Sequence, residues 1–342
     1  MKFLLRNWRW LISILISLVS VVLVVLNREW LWEAFQVALE AQPLWLLAAF
    51  CVVPLSFLVI SHVLSVALRS VGYHLSLLHC WAIAIVAIII SQSIPAGGVG
   101  SYAFLVNTFT RSNVPPGEAT LAASLEGITY ITAMLIIFAI SILYLAILGL
   151  AAGGASYIAG MVALVLLVAT TFVLTRSAQR LTRWLTTLHE GVAGLLRQQW
   201  DKQWISRLVN GLMRGRELLK TRRLTYGWLV LVQLIGLCGH ALAMLLVLVS
   251  LGTTVNYMVV LTAFGVALIT STFNVLPGGG GTVETAIVAV LVRLGVGEAA
   301  VPAAILFRLF NFWLMLPIAA ACYHWLTHGT APDARPRRRL SS

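Results

Sequence analysis

Six long apolar segments punctuate the chain, at about 10–26, 44–68, 119–148, 157–175, 226–250 and 300–325. At about 1.5 Å of rise per residue, each makes a helix able to cross a hydrocarbon core roughly 30 Å thick. The first is the shortest and lies near the lower limit. Two further apolar regions, about 78–111 and 258–293, are broken in the middle. The first break reads Gln92-Ser-Ile-Pro95-Ala-Gly97-Gly98-Val-Gly100, and the second Asn274-Val-Leu-Pro277-Gly278-Gly279-Gly280-Gly281. Both place a side-chain amide three residues before a proline and then run into glycines. Such breaks free backbone groups that lipid cannot satisfy, so they survive at membrane depth only inside protein or beside a cavity. Each leaves two pieces of roughly 15 residues, too short to cross comfortably.

Loop charge decides how the broken regions thread. Residues 176–223 hold eleven Lys/Arg against Glu190, Asp201 and Glu217. The first nine residues hold Lys2, Arg6 and Arg9 and no acid, and the tail holds Arg335, Arg337, Arg338 and Arg339 against Asp333. The positive-inside rule makes all three segments cytoplasmic. Residues 27–42, with Arg28 against Glu29, Glu33 and Glu40, suit the outside. If each broken region crossed once, the 176–223 loop would face outward. If each returns to its starting side, all three basic segments are cytoplasmic. Re-entrant hairpins and pairs of short full crossings both meet this condition, and the short pieces favour hairpins.

The predicted fold is an all-α polytopic membrane protein of six full transmembrane helices plus two Pro-Gly re-entrant hairpins. The first hairpin then enters from the cytoplasm and the second from outside. The halves, about 44–148 and 226–325, become inverted repeats, a transporter architecture whose site lies where the hairpin tips meet. The whole of 1–342 is read as one membrane domain, with a basic loop over 176–224 and a basic tail over 329–342. The loop carries Trp184, Trp200 and Trp204 among its basic residues, which fits amphipathic helices on the cytoplasmic face or a solvated connector. At a constant offset of 182, Gln92 matches Asn274, Pro95 matches Pro277, Gly97 and Gly98 match Gly279 and Gly280, and Arg111 matches Arg293. Glu126 falls opposite Arg308.

The candidate binding residues follow from these breaks. After each one the chain resumes a helix-compatible run, so the glycine-rich tips present free N–H groups and the positive end of a helix dipole. Gln92, Pro95, Gly97, Gly98 and Gly100, with Asn274, Pro277, Gly278, Gly279, Gly280 and Gly281, can hold a phosphate or carboxylate. Alternatively, the glycines only permit tight turns and close packing. Glu284 falls at N3 if Gly281 caps the second half-helix, where it either caps or acts as a functional carboxylate. Arg308 lies well inside the last span and needs a partner, since an arginine there costs about 2.5–3.5 kcal/mol on insertion scales. Glu284, Glu126 and a lipid phosphate are its possible partners. His62 and His240 precede the two hairpins at equivalent depth, as a proton-coupling pair or as neutral hydrogen-bonding rings. Gln233, Asn107 and Asn311 are polar residues in apolar stretches that could line the same cavity.

Composition narrows the function classes. With 60% hydrophobic and 10% charged residues and mean hydropathy +0.96, the chain is a membrane protein. Its net charge of +12 belongs to loops that meet anionic lipid, so nucleic acid is not the expected partner. The N-terminus has basic residues before an apolar run, but Asn27-Arg28-Glu29-Trp30 follows it, which reads as an uncleaved first helix. Cys51, Cys80, Cys238 and Cys322 fit neither a metal site nor a disulfide framework. No nucleophile–base set, P-loop or His/Cys metal pattern appears. The expectation is therefore no enzyme, no metal and no cofactor.

The motif Pro277-Gly-Gly-Gly-Gly281-Thr-Val-Glu284, the later Arg308-Leu309 and the earlier Ser93-Ile94-Pro95-Ala-Gly-Gly98 resemble those of one known family. It is the membrane region of lysylphosphatidylglycerol synthase/flippase proteins and their stand-alone flippase-like relatives, and the resemblance runs over roughly 8–328. It implies translocation of an anionic phospholipid or a lipid-linked, polyprenyl-phosphate-type intermediate between leaflets of the cell membrane. Two departures matter. The full synthase carries a soluble aminoacyl-transferase domain, whereas this sequence stops at Ser342, so synthesis of aminoacyl lipids is not expected. Many relatives have an arginine in the helix after the first hairpin, where this chain reads Ser-Leu-Glu126-Gly. The rival readings are a secondary transporter of a small anionic solute and a non-transporting scaffold for a lipid-modifying glycosyltransferase.

Overall fold

A computed structural model describes residues 28–93, 97–150, 178–196, 223–272 and 281–328, together with 206, 209–210, 213 and 335–336. The expected spans at 10–26 and 157–175 lie outside these residues. So do Pro95, Asn274, Pro277, Gly278, Gly279 and Gly280, the loop tryptophans Trp200 and Trp204, and most of the tail.

The remaining four expected spans are long helices. They are α2 (Pro43–Ser70), α5 (Pro116–Ile147), α7 (Arg223–Ser250) and a last one in three parts. That one runs through α10 (Ala300–Arg308), a π-helical turn (Leu309–Trp313) and α11 (Met315–His328). All four are long and apolar enough to cross a membrane. Their starts follow local chemistry. Pro43 and Pro116 stand at the first helical position, where a missing N–H costs nothing. Outward-facing Leu55, Leu143, Leu231 and Ile235 stay exposed, as a lipid-facing surface requires.

The two broken regions are pairs of short helices. The first gives α3 (Leu77–Ser93) and α4 (Gly97–Arg111), the second α8 (Tyr257–Ser271) and α9 (Thr282–Arg293). At 1.5 Å per residue these are about 18–26 Å long, less than a hydrocarbon core. Each half therefore reads long helix, short helix, break, short helix, long helix. A leading helix α1 (Arg28–Glu40) precedes the first half, and α6 (Ala178–Leu196) lies in the basic loop. Leu181 of α6 is buried against Val209, as an amphipathic loop helix requires. A two-residue pairing of β1 (Tyr73–His74) with β2 (Arg335–Pro336) ties the tail to the α2–α3 turn.

Contacts between the halves pair corresponding elements. The long helices α2 and α7 form the most extensive interface. Gly236 and Gly239 make it possible: a Cβ at Gly236 would strike Ile60, and one at Gly239 the Ser56 hydroxyl. Short helix α3 of the first half packs on α11 of the second, and α8 of the second packs on α5 of the first. One apolar cluster joins them, running from Phe57 through Met134, Met244 and Phe264 to Phe307 and Phe312.

Candidate functional site

Arg308 is the last residue of α10 and is 3% exposed. Burial of a guanidinium demands partners from its surroundings. Its Nε donates to Glu284 Oε1 at 2.7 Å, which is also an ion pair, and its Nη1 donates to Gln92 Oε1 at 2.9 Å. The Phe312 ring lies 4.9 Å from the guanidinium carbon, near enough for a cation–π contact. Three separate elements thus converge on one cation. Gln92 comes from the end of α3 beside the first break, and Glu284 from the first turn of α9 beside the second. Arg308 comes from the last span.

Local backbone explains the placement. Gly281 caps α9 with φ of 84°, a left-handed conformation that glycine adopts without a Cβ penalty. This turn puts Glu284 in the first turn of α9 and on the side of Arg308. Of the two roles open to Glu284, pairing with the cation is the one observed. Its second oxygen, Oε2, has no hydrogen-bond partner among the described residues, so it does not close a capping box. Immediately after Arg308 the helix widens into the π turn, where Leu314 N–H reaches back to the Leu309 carbonyl at 2.8 Å. Such turns re-aim side chains and recur at functional sites. Sequence reasoning missed this turn, since Leu-Phe-Asn-Phe-Trp reads as continuous helix.

Arg308 and Gln92 border a cavity of about 510 Å³, and Glu284 is not among its lining residues. Gln92, Gly98, Glu126, Gln233, His240, Arg308 and Asn311 all line it, beside apolar Phe57, Ile88, Met134 and Phe264. Both halves contribute to the wall. Glu126 projects from α5 and, among the described residues, makes no ion pair or side-chain hydrogen bond, so it is not the partner of Arg308. His240 is held between Phe57 at 4.8 Å and Phe264 at 6.2 Å, ring to ring. Its Nδ1, both amide atoms of Gln233 and Asn311 Oδ1 have no hydrogen-bond partner among the described residues. A buried polar group left unmatched costs about 1–3 kcal/mol, so a fold that keeps several around one cavity keeps them for water or ligand.

Some expected members fall elsewhere. His62 lies half-buried on α2 and is not among the cavity-lining residues, so the two histidines do not share this wall. Asn107 borders a separate small crevice of about 50 Å³ with Arg111 and Tyr323, because the outward side of α4 faces α11 there. Gly97, Gly98 and Gly100 sit in the first turn of α4, and of the last two Gly98 lines the cavity and Gly100 does not. No group of three or more His, Cys, Asp or Glu residues that could hold a metal occurs among the described residues. The cysteines are free.

Residues 10–319 match the family model described as "Lysylphosphatidylglycerol synthase TM region". The match spans most of the chain, and the chain belongs to this family. No curated protein matches it.

Proposed function

We propose that this family member binds an anionic phospholipid or a lipid-linked phosphate and moves its headgroup between the leaflets of the cell membrane. The observation that carries this reading is Arg308. It is buried, borders a cavity of about 510 Å³ walled by both halves, and is tethered to both broken regions through Gln92 and Glu284. A phosphate entering the cavity can replace the neutral Gln92 amide on Nη1 with a charge-assisted hydrogen bond, which is roughly twice as strong. Glu284 keeps the Nε edge and fixes the plane of the fork. The acyl or prenyl tails stay in the bilayer, against the exposed apolar residues of the long helices.

The matching order of elements in the two halves and the crossed packing of α3 on α11 and α8 on α5 support the inverted-repeat threading, with both termini cytoplasmic. In that threading the two breaks enter from opposite faces, and the cation is held by Gln92 and Glu284, which flank them. Opening one break and closing the other would expose the site alternately. The process makes and breaks no covalent bond, and its driving force is a gradient or the supply of substrate.

The test is reconstitution of the full chain in liposomes carrying labelled phosphatidylglycerol or labelled polyprenyl phosphate. Wild type should equilibrate at least one of them across the bilayer. Arg308→Ala and Glu284→Gln should slow it by tenfold or more, the loss expected for about 1.4 kcal/mol of binding or barrier energy. Equal rates in all three proteins would sink the site assignment, and no movement of either lipid would favour a scaffold.

A further inference from the structure

We infer that Gln233 and His240 form a second subsite of the cavity, which recognises hydroxyl groups carried on the substrate's phosphate. The inference rests on the reading of Arg308 as the phosphate-binding cation and names the class of headgroup beyond it: a polyol or sugar phosphate.

Both residues stand on α7, seven positions apart and hence on one face, two turns or about 10 Å apart along the axis. Both line the cavity that Arg308 lines. Gln233 is fully buried, and neither its Oε1 nor its Nε2 has a hydrogen-bond partner among the described residues. His240 is 4% exposed, and its Nδ1 is likewise unmatched. The ring cannot swing away easily, because Phe57 and Phe264 flank it.

The chemistry of the unmatched atoms selects the ligand. Gln233 offers one acceptor and one donor group side by side. A phosphate only accepts and would leave Oε1 bare. An ammonium only donates and would leave Nε2 bare. A hydroxyl both donates and accepts, so neighbouring hydroxyls satisfy the whole amide. His240 Nδ1 adds a donor or an acceptor according to its tautomer, and a hydroxyl suits either. Glu126 and Asn311 Oδ1, on other walls, add acceptors for further hydroxyl protons. Aromatic and aliphatic side chains between them leave room for the C–H faces of a ring.

The experiment measures binding of lipids to the purified full chain in mixed micelles. Phosphatidylinositol and phosphatidylmethanol carry the same phosphodiester charge, and only the first bears hydroxyls beyond it. Wild type should bind phosphatidylinositol about tenfold more tightly, the gain expected from one to two extra hydrogen bonds. Gln233→Leu should bring the two lipids within about twofold by weakening the first and leaving the second unchanged. His240→Phe should give a smaller narrowing. Equal binding of both lipids by wild type would overturn the inference, as would a preference that survives Gln233→Leu. Tighter binding of phosphatidylethanolamine than of phosphatidylinositol would also overturn it, in favour of an ammonium at Glu126. If Gln233→Leu fails to fold, the wild-type comparison still decides. Two further arms separate this inference from the proposed function. Soluble inositol 1-phosphate competing as well as the lipid would support the subsite and make the substrate a solute. The expected preference without movement in liposomes would support the subsite and remove the translocation.

Discussion

The two halves of this protein use one scaffold for opposite charges. In each, a long helix and a short helix lead to a Pro-Gly break, and a second short helix leads into another long one. At matching points the first half carries Glu126 and the second Arg308. The surroundings differ as much as the charges. Arg308 is fixed by Glu284, Gln92 and Phe312, and the helix beyond it widens into a π turn. Glu126 lies in unbroken α5 and, among the described residues, has no such partners. The order of elements and the crossed packing are thus common to both halves, and the chemistry is not. One half holds a cation in place, and the other offers a loose acid to whatever occupies the cavity.

If that contrast is right, the largest effect should come from Arg308. Arg308→Ala leaves the Glu284 carboxylate in the interior without its cation, and breaking a buried pair from one side costs about 3–5 kcal/mol. A drop of several degrees in the melting temperature of the purified protein is expected, together with loss of anionic-lipid binding. The double variant Arg308→Met/Glu284→Met should recover much of the stability, because it removes both charges, and none of the binding. A double variant that binds as well as wild type would break the comparison.

The shared scaffold should respond to Gly239→Leu. The new side chain would run into Ser56 across the α2–α7 interface, and overpacking of this kind costs about 1–3 kcal/mol. Both halves should suffer together, seen as one cooperative shift in thermal unfolding. A smaller effect is expected from Gln92→Leu, which removes one hydrogen bond to a charged group, worth about 1.5 kcal/mol at a partly buried site. It should lower the melting temperature less than Arg308→Ala does and leave the Glu284 pair intact.

Much of this was legible in the residues. The apolar runs located the four long helices, and Pro and Gly located both breaks, because those residues act through the backbone alone. The Arg308–Glu284 pair was among the possible pairings, since a buried arginine must find an acid and few acids lie at that depth. What the sequence could not rank was Glu284 against Glu126, which depends on how the two halves cross. Gln92 was read as part of a tip and proved to be a side-chain ligand of the guanidinium. The π turn has no residue signature, since Leu309-Phe-Asn-Phe-Trp313 is as compatible with a regular helix. Asn107 was misplaced because α4 carries polar residues such as Ser101, Thr108 and Arg111 on more than one side, so its sequence does not say which face meets the cavity.

Glu126 gives the smallest effect on stability and the sharpest test of the contrast. A carboxylate with partners would lose them on Glu126→Gln, and the protein would melt earlier. A carboxylate without partners has only its desolvation to lose, so the neutral amide should be neutral or slightly stabilising, within about 0.5 kcal/mol. Lipid affinity should separate from stability in the same variant. Removing a negative charge from a cavity that holds Arg308 raises its net potential and favours an anionic headgroup, so a simple phosphodiester lipid should bind more tightly. Glu126→Arg should carry this further, tightening phosphatidylmethanol binding while abolishing any discrimination that needs a carboxylate to accept hydroxyl protons. A clear loss of stability in Glu126→Gln would mean that the acid is as firmly built in as the arginine, and the division of roles between the halves would fall.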